Sequence, residues 1–221
     1  MGTLFLLGGD DWDIDARLDD WWLGLAGSRP TVCLIPTASS DASPEIDAFI
    51  RTFRSRCHEI RILRLIEQQT QDMDALLMGV DLIYIAGGNT VFMLGIWQVN
   101  GVDQVLRQAW RNGTVIGGSS AGALCLGSGG TTDSFGDMRV ITNTLRLIPE
   151  SISPHYQNPE RRSLHEAAVA RGSLPLGYGL EDGDGVLIEE GKAAQFVSDR
   201  SHARSWAIST SGSSEIIPDQ I

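Results

Sequence analysis

Gly118-Ser119-Ser120-Ala121-Gly122 is the stretch whose residue types and spacing point most directly to chemistry. It reads G-x-S-x-G, follows the apolar run 114–117 and precedes the helix-like residues 123–126. A sharp strand-to-helix turn of this kind holds its central serine in a strained conformation above a sheet. Ser120 occupies the central position and is the candidate nucleophile, ahead of Ser119. Small residues at 118 and 122 let strand and helix approach, and a side chain larger than a methyl is expected to collide there. N–H groups at the start of the helix would face a developing oxyanion. The same residues also suit a plain turn, or a phosphate-binding loop that uses the same N–H groups.

Gly87-Gly88-Asn89-Thr90 ends an earlier apolar run. Its glycines let backbone come close to a ligand, and the Gly88 N–H is a candidate oxyanion donor beside the Ala121 N–H. Asn89 or Thr90 also suits the N-cap of a helix starting at Val91, and Asn89 is a candidate substrate contact as well. A serine hydroxyl needs a base to take its proton, and histidine is the usual one. His58 ends a basic segment beside Cys57, His165 lies in a helix-like run and His202 in a polar tail. His155 stands in the loop Ser151-Ile152-Ser153-Pro154-His155-Tyr156, after the apolar run 145–148, and is expected at a strand end. A carboxylate would then fix the imidazole tautomer and balance its charge. Asp133, Asp137, Glu181, Asp182 and Asp184 are candidates, and residue type alone does not choose among them.

Short apolar runs stopping at Gly, Pro or Ser alternate with amphipathic stretches of helical spacing. Runs 3–7, 31–35, 82–85 and 114–116 are continuously apolar, as strands are when helices cover both sheet faces. A further run, 60–66, follows the helix-like segment 44–56. Ile14, Leu18, Trp21, Trp22 and Leu25 form one helical stripe, and Ile46, Phe49, Ile50 and Phe53 another. The pattern predicts a doubly wound α/β domain whose mostly parallel sheet is flanked by helices, with its site at the carboxyl ends of the strands. Past Ile141 the sequence reads as loops, a helix-like run 160–171 and a hairpin pairing 185–188 with 193–197. One domain is expected over residues 1–208, with a Ser/Gly-rich tail, 209–221, expected to fray.

With 221 residues, 42% hydrophobic and 20% charged, the chain is long enough to bury a large core. Its 17 Lys+Arg against 28 Asp+Glu leave a net charge of -11, which disfavours nucleic acid and anionic membranes as partners. Cys33, Cys57 and Cys125 have no metal-ligand spacing and suggest no disulfide framework. Neither a metal nor a cofactor is expected, and a reducing cytoplasm is the expected location. The apolar run at the start is too short for a signal peptide, and no stretch reaches membrane-spanning length. A homodimer is compatible with this sequence.

Three blocks in this order and spacing, Ile85-Ala86-Gly87-Gly88-Asn89-Thr90, Gly118-Ser119-Ser120-Ala121-Gly122-Ala123 and Ser153-Pro154-His155-Tyr156, resemble the dipeptidase E/cyanophycinase family of serine peptidases. The resemblance runs over residues 3–198. It implies a fold similar to class I glutamine amidotransferases, with serine in place of their elbow cysteine. It also implies Ser120 as nucleophile, His155 as base, and the Gly88 and Ala121 N–H groups as oxyanion hole. Asp182-Gly183 after Gly179-Leu180 matches the family's carboxylate-Gly pair, which implies Asp182 as third member, with Glu181 as the fallback. Asp133 falls in a region that matters in that family, and Arg161-Arg162 falls near its substrate arginine. The activity implied is removal of N-terminal aspartate from short peptides. Hydrolysis of β-aspartyl-arginine units, or a binding protein keeping the elbow as a turn, are the rival expectations.

Overall fold

The computed structural model describes residues 2–9, 12, 16–67, 72–202 and 204–221. Its elements run β1 (Leu4–Leu7), α1 (Ala16–Gly24), β2 (Thr31–Ile35), α2 (Ser43–Phe53), β3 (Glu59–Ile62), α3 (Met73–Leu77), β4 (Leu82–Ile85), α4 (Thr90–Asn100), α5 (Val102–Arg111) and β5 (Val115–Ser119). There follow α6 (Ala121–Leu124), β6 (Gly130–Phe135), β7 (Asp137–Ile141), β8 (Ser151–Ser153), α7 (Pro159–Ala170), β9 (Gly177–Leu180), β10 (Asp184–Ile188), β11 (Gln195–Ser198), β12 (Ser205–Ser209), β13 (Gly212–Ile216) and β14 (Asp219–Gln220). Among the described residues no helix is long and apolar enough to cross a membrane.

The expected α/β architecture is present. An eight-stranded sheet is ordered β14-β11-β10-β1-β5-β4-β2-β3. Strands β1, β5, β4, β2 and β3 are parallel, and β10 and β11 pair antiparallel at the other side as the expected hairpin. Successive side chains on one strand face opposite cores. Leu4, Leu6, Ile83 and Ile85 pack with Met93 and Trp97 of α4 and Leu106 of α5. Phe5, Leu7, Leu82 and Tyr84 pack with Trp22 of α1 and with Ile46, Phe49 and Phe53 of α2. Each large apolar chain so buried contributes about 1.5–3 kcal/mol, which is why central strands read as unbroken apolar runs. Of the first expected helical stripe, Ile14 lies outside the described residues.

Three local expectations are corrected. The chain after Ile141, read mainly as loops, supplies β8, β9, β12 and β13 to a second, six-stranded sheet, β13-β12-β9-β8-β6-β7, which rests on a third core of Tyr156, Ala168, Val169, Leu174, Trp206 and Ile208. The tail expected to fray from Ser209 is instead paired: β13 lies antiparallel on β12, and β14 runs parallel to β11. Backbone pairing holds these residues where side chains bury little. The apolar run 145–148 is not a strand. Leu145, Arg146 and Leu147 donate N–H bonds to the carbonyls of Cys125, Gly127 and Leu126, stopping α6 after one turn. His155 therefore follows β8 rather than that run.

Candidate active site

The β5–α6 junction turns at Ser120, which has φ 54 and ψ -110, a conformation that ordinary residues avoid. Its N–H is anchored on the Leu7 carbonyl at 3.1 Å. A methyl group added at either Gly118 or Gly122 would sit on the carbonyl oxygen of Ile85, so the turn is tighter than the sequence implied: even alanine collides.

The segment after β8 supplies the base position. His155 also has a positive φ, 51, and its N–H bonds to Gly8 O at 3.1 Å. The β9–β10 connection is tied to the end of β1 as well, through Gly183 N to Gly9 O and Gly8 N to Asp184 O, each 3.0 Å. Gly8-Gly9 thus carries both remaining groups into line. His155 Nε2 lies 2.7 Å from Ser120 Oγ, and His155 Nδ1 lies 2.6 Å from Asp182 Oδ1. Such a relay can pass the Ser120 proton to the imidazole while the carboxylate fixes its tautomer. Burial pushes the Asp182 carboxyl up, but hydrogen bonds from His155 and Gln157 and the charges of His155 and Arg200 outweigh it and hold it below its ordinary value.

The other carboxylates point elsewhere. Glu181 accepts from Trp206 Nε1 at 3.4 Å, Asp184 is buried and accepts from Ser205 Oγ at 3.1 Å, and Asp137 lies 3.9 Å from Arg139. His165 is buried with Nε2 2.9 Å from Ser151 Oγ, which leaves it no part in this relay. Gly88, at φ 131, borders the same cavity as Ser120, and the Gly88 and Ala121 N–H groups make no hydrogen bond to another described residue. Asn89 acts as N-cap of α4, accepting from Phe92 N at 2.8 Å, and its amide donates to Ser134 O at 3.2 Å.

The two arginines differ. Arg162 is held at 3.0 Å by Glu166 and at 3.1 Å by Ser213, and lies over the Trp206 ring at 3.9 Å. It is a strut between α7 and the second sheet. Arg161 is buried, donates to Thr131 O, and lies 3.4 Å from Asp133 Oδ2. Its Nε has no hydrogen-bond partner among the described residues. Asp133 is therefore a partner of Arg161 and stands apart from the relay.

A cavity of about 380 Å³ opens beside Ser120 and His155. Trp12, Tyr84 near the end of β4, and Glu45, Ala48 and Thr52 of α2 border it as well. Sequence reasoning missed Glu45, Ala48 and Thr52 because it took α2 for its core stripe alone. The signal was there in the spacing: 45, 48 and 52 share the helix face next to Ile46, Phe49 and Phe53. Among the described residues no His/Cys/Asp/Glu group is arranged to hold a metal ion.

Residues 4–196 match the model of peptidase family S51. The chain belongs to that family. It is 32% identical over 213 residues to the uncharacterized peptidase YgaJ of Bacillus subtilis, covering 94% of this chain and 92% of that protein. A cyanophycinase from Nostoc is 28% identical over 181 residues, 76% of this chain and 61% of that protein. Peptidase E of Streptomyces coelicolor is 29% identical over 127 residues, 51% of each. The fold is shared with the crystal structure of a peptidase from an acI-B1 Actinobacterium, at TM-score 0.76 and 16% identity over 99% of this chain and 95% of that one. The S51 assignment and the resemblance read from the three sequence blocks agree.

Proposed function

We propose that this S51 chain is a serine-type peptidase that hydrolyses short peptides through an acyl-enzyme. The observation that carries the reading is the continuous hydrogen-bonded line Ser120–His155–Asp182, at 2.7 and 2.6 Å. In this mechanism His155 Nε2 takes the Ser120 proton as Oγ attacks the scissile carbonyl. The Gly88 and Ala121 N–H groups stabilise the oxyanion. The same proton passes to the leaving amine, and the amine departs. Water, deprotonated by His155, then releases the acyl group and restores Ser120.

Within that chemistry we read N-terminal aspartate as the acyl residue, with Arg161 as the cation for its side chain, in keeping with the activity that the dipeptidase E resemblance implies. Arg162 is held by Glu166, Ser213 and the Trp206 ring. Arg161 would take the substrate carboxylate by giving up Asp133, an exposed partner at 3.4 Å. A charge-assisted contact of this sort favours Asp-Leu over Asn-Leu by about tenfold in kcat/KM. The working location is the cytoplasm, in keeping with three free, buried cysteines, and a short peptide is the partner.

Labelling by a fluorophosphonate tests the serine mechanism: wild type should label at Ser120 and Ser120→Ala should not. An unlabelled wild type would mean that the elbow is only a turn. A panel of Asp-Leu, Asn-Leu, Ala-Leu and β-Asp-Arg then reads specificity. Preference for β-Asp-Arg would replace the aspartyl dipeptidase reading with a cyanophycinase-like one. Equal cleavage of Asp-Leu and Ala-Leu would leave the machinery without an aspartate pocket.

A further inference from the structure

Glu45 sits in the first turn of α2, where a carboxylate is favoured by the helix dipole. That explains an acid at this position but not its setting. The side chain is half-buried against the cavity beside Ser120. Its Oε2 is shielded from water and has no hydrogen-bond partner among the described residues. No ion pair among the described residues includes it, and burial pushes its carboxyl above its ordinary value, against a hydrogen bond from Ser39. An unpaired, partly desolvated carboxylate is costly to keep unless something cationic completes it.

The surroundings specify what would complete it. Trp12 and Tyr84 border the same cavity, joined by a 3.3 Å hydrogen bond from Trp12 Nε1 to the Tyr84 hydroxyl. Ala48 and Thr52 keep the α2 wall small beside them. Tyr84 is itself buried, so the partly exposed Trp12 supplies the aromatic wall. Such a wall with one carboxylate suits an organic cation, whose charge the ring and the acid both attract. It does not suit a second carboxylate: Arg161, the cation proposed for aspartate, does not border this cavity.

We propose that this cavity is a subsite for an organic cation, a protonated amine or a guanidinium of the peptide, with Glu45 as its counter-ion. The inference rests on the reading of Ser120 as nucleophile, because that reading makes the neighbouring cavity a peptide subsite. Glu45 then sets specificity and takes no part in bond breaking.

The test is calorimetric titration of two proteins, Ser120→Ala and Ser120→Ala/Glu45→Gln, with three matched peptide pairs. Ala-Arg against Ala-citrulline, and Arg-Ala against citrulline-Ala, read a guanidinium on either side of the peptide bond. Ala-Ala against N-acetyl-Ala-Ala reads the α-ammonium. The expected result is that at least one pair favours its charged member by about tenfold in the first protein, and that the preference falls to within about twofold once Glu45 is replaced. Equal binding within every pair, a preference that survives Glu45→Gln, or no binding of any peptide at millimolar concentration would each overturn the subsite. Fluorophosphonate labelling of the wild type separates the two ideas. A Glu45-dependent cation preference without labelling keeps the cation site but removes the serine mechanism that makes it a subsite of catalysis, whereas labelling without a preference keeps the mechanism and overturns the cation site.

Discussion

At the scale of single residues, the nucleophile proposed above and backbone strain coincide at Ser120. A non-glycine residue at φ 54, ψ -110 costs about 1–3 kcal/mol, because its Cβ crowds the neighbouring peptide units. Ser120→Ala keeps that Cβ and should melt like wild type while losing about 10,000-fold or more in kcat. Ser120→Gly removes the Cβ but adds freedom to the unfolded chain, which offsets about 0.5–1 kcal/mol of the relief. The net gain is about 1 kcal/mol, so its melting temperature should rise by roughly 2–4 °C as activity disappears. A glycine variant that melts below wild type would show that the turn is unstrained. Asp182→Asn should fold normally yet lower kcat by about 10,000-fold, since the imidazole loses its tautomer anchor and counter-charge. Should Glu181→Gln do the greater damage, the relay seen here is not the working one.

At the scale of elements, what was legible was whatever buries a continuous apolar strand. Strands β1, β2, β4 and β5 each have neighbours on both faces, so their runs announced both the sheet and the loops at its ends. Strands Gly130-Thr131-Thr132, Ser151-Ile152-Ser153 and Gly177-Tyr178-Gly179-Leu180 are short and rich in small or polar residues, and their order comes from inter-strand pairing that composition does not reveal. Ser120 and His155 could therefore be singled out as candidates from local sequence, with the roles of both implied by the resemblance. The choice of Asp182 among five carboxylates depends on the tie between the β9–β10 connection and Gly9, and was reached only by resemblance. The tight crossing of β4, β5 and α6 carries its own prediction. Helix propensity favours Ala over Gly at 122 by about 1 kcal/mol, but the added methyl would meet a backbone carbonyl that cannot turn aside. Overlap wins, and Gly118→Ala and Gly122→Ala should each lower stability by about 3 kcal/mol in denaturant titrations. Gly87→Ala is the control: its Cβ would meet Ser120 Cβ at an ordinary 3.5 Å. Loss of stability in the control alone would refute this account of the crossing.

At the scale of the whole molecule, the relay spans the junction of the two sheets. Ser120 follows β5 of the first sheet, His155 follows β8 of the second, and Asp182 lies in the connection by which the chain passes from β9 to β10. Two residues on, Asp184 is fully buried at that junction and accepts from Ser205 Oγ of β12 at 3.1 Å, while its Oδ1 has no hydrogen-bond partner among the described residues. Burial pushes its carboxyl up to about 6, and the Glu181 charge acts in the same direction. The folded protein therefore holds this proton more tightly than the unfolded chain, whose ordinary value is 3.8. The resulting stabilisation is fully present below about pH 4 and is lost as pH rises through about 6. Other carboxylates add their own acid dependence, so the difference between wild type and Asp184→Asn is the quantity to measure. Asparagine has no proton to lose and can still accept from Ser205, so from pH 4 to pH 8 the variant should gain about 1–3 kcal/mol on wild type. An unchanged difference across that range would mean that Asp184 is charged at the junction throughout. In that case some cation would have to reach it there, and the two sheets would be held together by an ion pair rather than by a neutral hydrogen bond.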